Sequence, residues 1–422
     1  MTTETKPSKP SLLRSIRSLR TFSSFKNRGY RFYFAGVLGH MACMNMQQIP
    51  SGLLLERLTN SPVILGVMSL TGAIPMLILS LWGGVIADRV EKKYIVVLGQ
   101  AGFALTSLVM AIVLSIGYLS PSHPGSWWIL LVISAIQGGI IGIAMPARQA
   151  ILSDIVRSDE LMNAISLNFL GTNTIQVAAP AIAGFMINTF NFDSVYYTMS
   201  CLYLISMVMF AFMPKTGAKS IVKVSALAGI KEGLIYVWHH KTLRLVLLFS
   251  FLAVILSQPV GMLMSFFADD ILKVGASGMG ILFSLSGVGA MVASIVLASI
   301  PSKKRGIMML IGGIFLGITL IGFAVSKNWP FSLMLMALVG IGSTVTMTLS
   351  NALIQFYSDD SHRGRVMSLF IMQWGMANFA NFASGVVAQE YGVQWAVSVF
   401  ALPLVFLPAV ALVLLPSLRK LD

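Results

Sequence analysis

Titratable side chains that could carry a proton lie in or beside long apolar segments of this chain. His40 lies inside such a segment, nine residues after Arg31. A buried imidazole can carry a proton near neutral pH, and it can equally be a hydrogen-bonded packing residue. Glu56 and Asp269 lie near the ends of two apolar segments and are rival proton sites. Both can equally be surface carboxylates.

The same histidine belongs to a group of three side chains that could act as soft metal ligands. His40, Cys43 and Met44 fall on one face of a predicted helix, and their side chains suit copper or another thiophilic metal. The chain has 26 Met residues, however, and abundant methionine is also typical of adaptable packing or of a promiscuous pocket. A soft-metal pathway is therefore an alternative interpretation, and we expect no resident metal or cofactor.

Uncharged amides interrupt the apolar segments at several positions. Inside a membrane such groups need hydrogen-bond partners, so they should face the interior of a helix bundle. About half are expected to make only interhelical hydrogen bonds, and the rest suit an amphipathic organic molecule. We expect no Arg or Lys at mid-membrane depth, which disfavours an anion site. The candidate cavity residues are Asn45, Gln48, Gln137, Asn173, Gln176, Gln258, Gln373, Trp374 and Asn378.

The composition indicates which elements position these residues. Of the 422 residues, 56% are hydrophobic and only 10% are charged, against roughly 25% charged residues in soluble domains. A helix needs about 20 apolar residues to cross a bilayer. The sequence therefore predicts an all-α integral membrane protein with twelve transmembrane helices. Their predicted bounds are 31–55, 63–87, 94–118, 127–147, 163–189, 194–213, 243–268, 276–300, 307–326, 330–354, 366–389 and 393–416.

The distribution of basic residues predicts the topology. With a cytoplasmic amino terminus, 26 of the 29 Lys and Arg residues lie on the cytoplasmic side, and only Arg57, Lys273 and Lys327 lie opposite. This asymmetry predicts that both termini are cytoplasmic. The net charge of +14 thus encodes orientation, and no nucleic-acid partner is expected. The first apolar run continues into further spans, so no cleaved signal peptide is predicted.

A weak internal repeat divides the chain into two six-helix halves. At an offset of 202 residues, Ala150 matches Ala352 and Ser166 matches Ser368.

The predicted central loop separates the halves, and its weakly amphipathic segment 221–238 fits either a helix on the membrane surface or a solvated linker. The predicted organisation is a basic tail at 1–30, a bundle at 31–213, the central loop at 214–242, a bundle at 243–416 and a tail at 417–422.

The loop after the second predicted span reads G-V-I-A-D-R-V-E-K-K. It resembles the signature loop of the major facilitator superfamily (MFS), and an ordinary positively charged loop is the alternative. The resemblance implies the MFS fold, a substrate cavity between the halves, and a cytoplasmic conformational latch. The latch residues it implies are Gly84, Asp88, Arg89, Lys92 and Lys93.

Two further segments resemble particular members of the superfamily. P-A-R-Q-A-I-L-S-D-I-V from Pro146 to Val156, with its counterpart Ser358 to Phe370, is similar to the branch that contains enterobactin exporters and macrolide-efflux proteins. That branch implies export. In the fifth span, A-A-P-A-I-A-G resembles an antiporter motif and implies a gate at Pro180 and Gly184, although generic helix packing is an equal alternative.

The predicted function is export of a hydrophobic or amphipathic small molecule, drug-like or siderophore-like, by proton antiport and alternating access. We expect a monomer in the bilayer of a bacterial plasma (inner) membrane. The alternatives are a lipid or lysolipid flippase of the same fold, a soft-metal transporter and a non-transporting membrane receptor. An enzyme is not expected, because no pair of catalytic carboxylates lies within the spans.

Overall fold

The computed structural model describes residues 24–120, 122–123, 125–157, 160–214, 226–300, 303–359, 362–419 and 421. Most of the predicted amino-terminal tail and residues 215–225 of the predicted central loop lie outside this part. Within it, all the regular secondary structure is helical. Helices α1 to α6 are Arg28–Thr59, Pro62–Arg89, Lys92–Ser115, Trp128–Ile155, Leu161–Phe190 and Phe192–Ala211.

The second group of helices begins after the undescribed part of the central loop. Helices α7 to α10 are Ala226–His239, Lys241–Ser257, Pro259–Met262 and Met264–Phe266, followed by a π-helical turn at Phe267–Ile271. Helices α11 to α16 are Gly275–Ser299, Arg305–Val325, Trp329–Tyr357, Arg363–Tyr391, Val393–Leu414 and Pro416–Arg419. We call the end of the bundle that carries α7 and the start of α1 the central-loop end. The other end, which carries Thr59 and Pro62, is the opposite end.

Ten helical stretches of the described residues are long and apolar enough to cross a membrane. They include each of the predicted spans except the first and the eleventh, which correspond to α1 and α14. These two helices have 32 and 29 residues, so length is not what separates them from the others. Charges and amides such as Arg31, Gln48, Arg365 and Asn378 make them less apolar. The chain is an integral membrane protein, and crossing by α1 and α14 stays a prediction.

Within the predicted seventh span, 243–268, the regular helical hydrogen bonding is interrupted at Gln258, just before Pro259, and again at Leu263. The backbone of Gln258 keeps helical dihedral angles, and Lys241–Met262 is a single apolar helical stretch. Proline has no backbone N–H and therefore removes one hydrogen bond of the helix. The sequence analysis did not anticipate this interruption. Gln258 and Gly261 line the wall of a cavity.

Small residues allow two pairs of helices to approach closely. A Cβ atom at Gly138 of α4 would overlap the carbonyl oxygen of Gly72 in α2. Likewise, a Cβ atom at Gly340 of α13 would overlap the carbonyl oxygen of Ser286 in α11. Gly138 and Gly340 are separated by the same 202 residues as the repeat pairs found in the sequence. Glycine at both positions permits backbone contact that no larger residue would allow.

The described part of the central loop forms helix α7, which packs against the start of α14. The Glu232 carboxylate accepts a hydrogen bond from Arg365, and the Tyr236 hydroxyl lies 2.8 Å from a carboxylate oxygen of Asp359. The Tyr236 ring also stacks on His362, with 4.2 Å between ring centroids. This segment is therefore a docked helix rather than a solvated linker.

Candidate functional site

The largest of the four cavities described here opens toward the central-loop end and has a volume of about 990 Å³. Its wall combines residues from both groups of helices. Asn173 and Gln176 of α5 face Thr344 and Thr348 of α13, and Trp374 of α14 contributes an aromatic ring. The mixture of amides, hydroxyls and apolar groups can bind an uncharged polar group and an adjoining hydrophobic body.

A second cavity of about 360 Å³ lies among α1, α2 and α4 and reaches Asn378 of α14. Gln47, Gln48 and Gln137 line it together with several Met side chains. The Gln47 amide donates a hydrogen bond to Gln137, which in turn donates one to the Thr106 hydroxyl at 3.2 Å. This polar chain fixes the orientation of the amides at the cavity wall.

A third cavity of about 210 Å³ is lined by α8, α9 and α13. Gln258 lies in its wall, and Trp374 and Ser343 are shared with the largest cavity. Seven of the nine predicted cavity residues therefore line one or more of these three spaces. They are Gln48, Gln137, Asn173, Gln176, Gln258, Trp374 and Asn378.

The other two predicted cavity residues make contacts within the protein. Gln373 is fully buried and accepts a hydrogen bond from Ser250 at 2.8 Å, so it joins α14 to α8. The Asn45 amide donates to the backbone carbonyl of Met41 in its own helix at 2.8 Å. Neither residue lines any of the four cavities described here. Gln373 makes an interhelical bond, which the sequence analysis gave as the alternative, whereas the Asn45 bond lies within its own helix.

At the opposite end, the two groups of helices are in close contact. A Cβ atom at Gly184 of α5 would overlap the carbonyl oxygen of Ala276 in α11. A Cβ atom at Gly280 of α11 would lie 2.5 Å from the carbonyl oxygen of Pro180. The gate residues suggested by the sequence, Pro180 and Gly184, thus lie where α5 and α11 touch backbone to backbone.

Polar contacts also join the two groups of helices at the opposite end, which is closed by this packing. The Arg57 guanidinium of α1 lies 2.8 Å from the Asp269 carboxylate in the π-helical turn. Beside this pair, Glu56 is 5% exposed, and one of its carboxylate oxygens has no hydrogen-bond partner among the described residues. The acidic groups Asp269 and Asp270 are its electrostatic neighbours. Two of the three proton-site candidates, Glu56 and Asp269, therefore belong to one cluster at the closed end.

The third candidate, His40, lies toward the central-loop end of α1. It is 4% exposed, and the Gln100 side-chain nitrogen lies 3.0 Å from its Nδ1. A fourth cavity, of about 80 Å³, is lined by His40, Gln100 and Arg148. The predicted fourth span ended at residue 147, but α4 continues to Ile155. Arg148 therefore lies within the helix, and the sequence analysis missed its proximity to His40.

No group of three or more His, Cys, Asp or Glu side chains within the described residues could hold a metal ion. The Cys43 thiol contacts the backbone carbonyl of Met199 at 3.5 Å. Cys43 thus packs against α6 in this arrangement.

The predicted latch links helix ends at the central-loop end. Lys92 of α3 forms an ion pair of 2.6 Å with Asp154 of α4, and Lys93 donates to the carbonyl of Met213 at 2.7 Å. Arg89 is exposed. The surroundings of Gly84 and the side chain of Asp88 lie outside the described part of the structure. The sequence analysis did not identify Asp154 as the partner of Lys92, because residues 62 positions apart meet only through tertiary packing.

Comparison with known proteins identifies the family. The model of the Major Facilitator Superfamily matches residues 32–377 and 247–421. The chain belongs to the major facilitator superfamily. It is a transporter and not an enzyme, and its all-helical fold is that of this family.

Three curated relatives identify the branch of the superfamily. The staphyloferrin A transporter of Staphylococcus aureus is 23% identical, over 79% of this chain and 83% of the relative. The multidrug efflux pump Tap of Mycolicibacterium fortuitum is 23% identical, over 84% and 88%. The enterobactin exporter EntS of Shigella boydii is 23% identical, over 76% and 75%. The resemblance to the enterobactin-exporter and efflux branch is thus confirmed.

Proposed function

We propose that this transporter exports an amphipathic small molecule, drug-like or siderophore-like, from the cytoplasm of a bacterial cell by alternating access. The observation that carries the proposal is a cavity of about 990 Å³ between the two groups of helices, combined with close contact of those groups at the opposite end. A cavity accessible from one side and closed on the other is what one state of an alternating-access transporter requires.

The orientation follows from the charge distribution. The central-loop end carries the Lys and Arg excess, so by the positive-inside rule it faces the cytoplasm. The same rule supports an even number of crossings with both termini inside. We propose twelve crossings, in two six-helix groups at 31–213 and 243–416, in the bacterial inner membrane. In that orientation the largest cavity is open to the cytoplasm and can load substrate there. We propose that the chain does this as a monomer.

The chemistry of the wall favours an amphipathic substrate. Seven of the predicted polar and aromatic residues line the three large cavities, surrounded by Met and Phe side chains. Apolar contacts supply affinity for a hydrophobic body, and a few fixed amides orient a polar group. Flexible Met side chains adapt to substrates of different shapes.

The buried carboxylate at the closed end is our preferred proton site. A charged carboxylate in an apolar environment without a full set of hydrogen bonds is costly, so the neutral form of Glu56 favours closure there. Uptake of a proton from the outside would therefore favour the cytoplasm-open state. Proton entry and substrate exit are then linked as antiport. Asp269 contributes through its ion pair with Arg57.

A lipid or lysolipid flippase is the second candidate, and two exposed aromatic side chains of the cavity favour it. Helices α5 and α11 touch near Gly184 and Gly287, and nearer the central-loop end both helices line the largest cavity, with Asn173 and Ala290 among the wall residues. Phe169 of α5 and Phe356 of α13 line this cavity and are 58% and 66% exposed. An apolar cavity edge of this kind would suit entry of a lipid-like substrate from the inner leaflet.

Everted membrane vesicles with an acidified interior test the proposal. The methyl ester of dansylated 11-aminoundecanoic acid serves as the uncharged drug-like probe, and a fluorescent lysophosphatidylcholine serves as the lipid probe. We expect protein-dependent accumulation of the ester that an uncoupler abolishes. Failure to exceed protein-free vesicles, or accumulation that persists with the uncoupler, would contradict proton-driven export. Movement of the lysolipid alone would favour the flippase.

A further inference from the structure

The small cavity beside His40 is lined by an arginine whose positive charge is not paired with any described acidic residue. Arg148 of α4 lines it, and the described acidic residues make no ion pair with this guanidinium. Its electrostatic neighbours are the hydroxyl groups of Tyr33 and Tyr203. An ionised side chain within a membrane bundle is costly and usually marks a functional site.

The groups around this cavity are arranged as hydrogen-bond donors. When the Gln100 amide donates to Nδ1 of His40 at 3.0 Å, the imidazole hydrogen lies on Nε2. No described residue accepts a hydrogen bond from Nε2. Tyr203 is fully buried and its ring packs against His40, and its hydroxyl also has no hydrogen-bond partner among the described residues. A cationic group and two donors without acceptors thus lie in one region.

The direction of the arginine side chain brings its charge toward the middle of the bundle. Helical side chains point back toward the amino terminus of their helix. For α4 that terminus, Trp128, is at the opposite end, so the guanidinium extends from the central-loop end toward mid-membrane depth. Met44 and Ile141 line both this cavity and the 360 Å³ cavity, which places the two spaces side by side.

We propose that Arg148 and His40 form a binding site for the carboxylate of an amphipathic substrate. A carboxylate matches the planar guanidinium fork, and about 80 Å³ suits a head group rather than a whole molecule. The apolar part of the substrate extends along Met44 and Ile141 into the larger cavity. This inference rests on the proposed function and narrows its substrate class from amphipathic molecules to amphipathic carboxylates. A carboxylate site at Arg148 also differs from the sequence-based expectation that the cavity does not bind anions.

Paired probes isolate the contribution of the charge. The protein is reconstituted in phosphatidylcholine nanodiscs, where no lipid carries a net negative charge. Dansylated 11-aminoundecanoic acid is compared with its methyl ester by the rise in dansyl fluorescence on binding. We expect wild type to bind the acid roughly tenfold more tightly than the ester, a typical effect of one charge-assisted pair. Equal affinity for acid and ester would overturn the proposal.

Substitutions of Arg148 test whether this residue causes the preference for the acid over the ester. Arg148→Gln should lower acid affinity to that of the ester and leave ester affinity within about twofold, which also shows that the variant is folded. Arg148→Lys should give an intermediate value, because it keeps the charge but not the fork. The matched control is Arg31→Gln, an exposed arginine at the start of α1. Unchanged acid affinity in Arg148→Gln, or equal loss for both probes, would overturn the assignment.

Transport of the ester separates this inference from the proposed function. If the ester accumulates in acidified everted vesicles but the acid shows no binding preference, export stands and the carboxylate site is wrong. If the acid preference depends on Arg148 but neither probe is transported, the site stands and the export proposal is wrong.

Discussion

Arg57 of α1 and Asp269 of the π-helical turn form an ion pair of 2.8 Å that joins the two groups of helices at the opposite end of the bundle. Their side chains are 43% and 18% exposed. Exposed pairs of this kind contribute about 0–1 kcal/mol to stability. Separation of the two groups of helices at this end would break the pair, so its energy is expected to act on the balance between conformations.

Removal of this pair should shift the conformational equilibrium. We expect Asp269→Asn to increase the population open at the opposite end by up to about fivefold, which corresponds to about 1 kcal/mol. Spin labels at Leu58 and Lys273 report the change by double electron–electron resonance. The exchanged variant Arg57→Asp with Asp269→Arg is the control and should restore the wild-type distances. An unchanged distribution in Asp269→Asn would show that the pair does not stabilise the closure.

The close contact of α5 and α11 should not tolerate a single methyl group. In Gly184→Ala the new Cβ atom would overlap the carbonyl oxygen of Ala276, so closure at this end becomes unfavourable. We expect at least a tenfold loss of uptake in everted vesicles, equivalent to about 1.4 kcal/mol, with normal protein yield. Gly364→Ala is the matched control, because its added Cβ meets nothing within 4 Å. Equal activity of the two variants would contradict a gate at Gly184.

The Lys92–Asp154 pair at the central-loop end should affect turnover rather than affinity. The two side chains are 12% and 17% exposed, and neither residue lines any of the four cavities described above. We expect Asp154→Asn to reduce the rate of uptake severalfold while the affinity for the transported probe stays constant. A Lys92→Gln variant should show the same loss, and the double variant should lose little more, since the two residues act as one unit. A loss of affinity alone would contradict the latch role.

The three proton-site candidates can be separated by one substitution each. Glu56→Gln mimics the neutral carboxylate. It should abolish uptake driven by a pH gradient, whereas exchange of the probe across the membrane without a gradient should continue. His40→Gln keeps a hydrogen-bonding group next to Gln100 and should retain gradient-driven uptake. Asp269→Asn should retain it in part, because Asp269 acts through Arg57. Gradient-driven uptake in Glu56→Gln would exclude this carboxylate as the proton site.

The sequence was most informative about the helices and least informative about their faces. Apolar runs locate spans well because the membrane requires them. In hydrocarbon, however, a helix is apolar on most sides, and successive residues differ by about 100° in direction. Gln373 was therefore predicted in the cavity, although it bonds to Ser250, while its neighbour Trp374 lines the cavity as predicted.

Arg148 was misplaced for a related reason. The predicted fourth span ends at residue 147, just before the first charged residue after the apolar run, yet α4 continues seven residues beyond Arg148 to Ile155. Helices extend past the hydrocarbon, and an arginine side chain can reach back along its own helix. A proline in an apolar run also does not by itself predict an interruption such as the one before Pro259, since Pro50 and Pro180 lie inside continuous helices.

The central claim is that substrate enters the large cavity from the cytoplasmic side. Asn173 lines that cavity, so Asn173→Cys in a background of Cys43→Ala and Cys201→Ser can be treated with a membrane-impermeant maleimide. We expect rapid labelling in everted vesicles, protection by the transported probe, and loss of uptake after labelling. Labelling only from the outside of right-side-out cells, or full uptake by the labelled protein, would contradict the account.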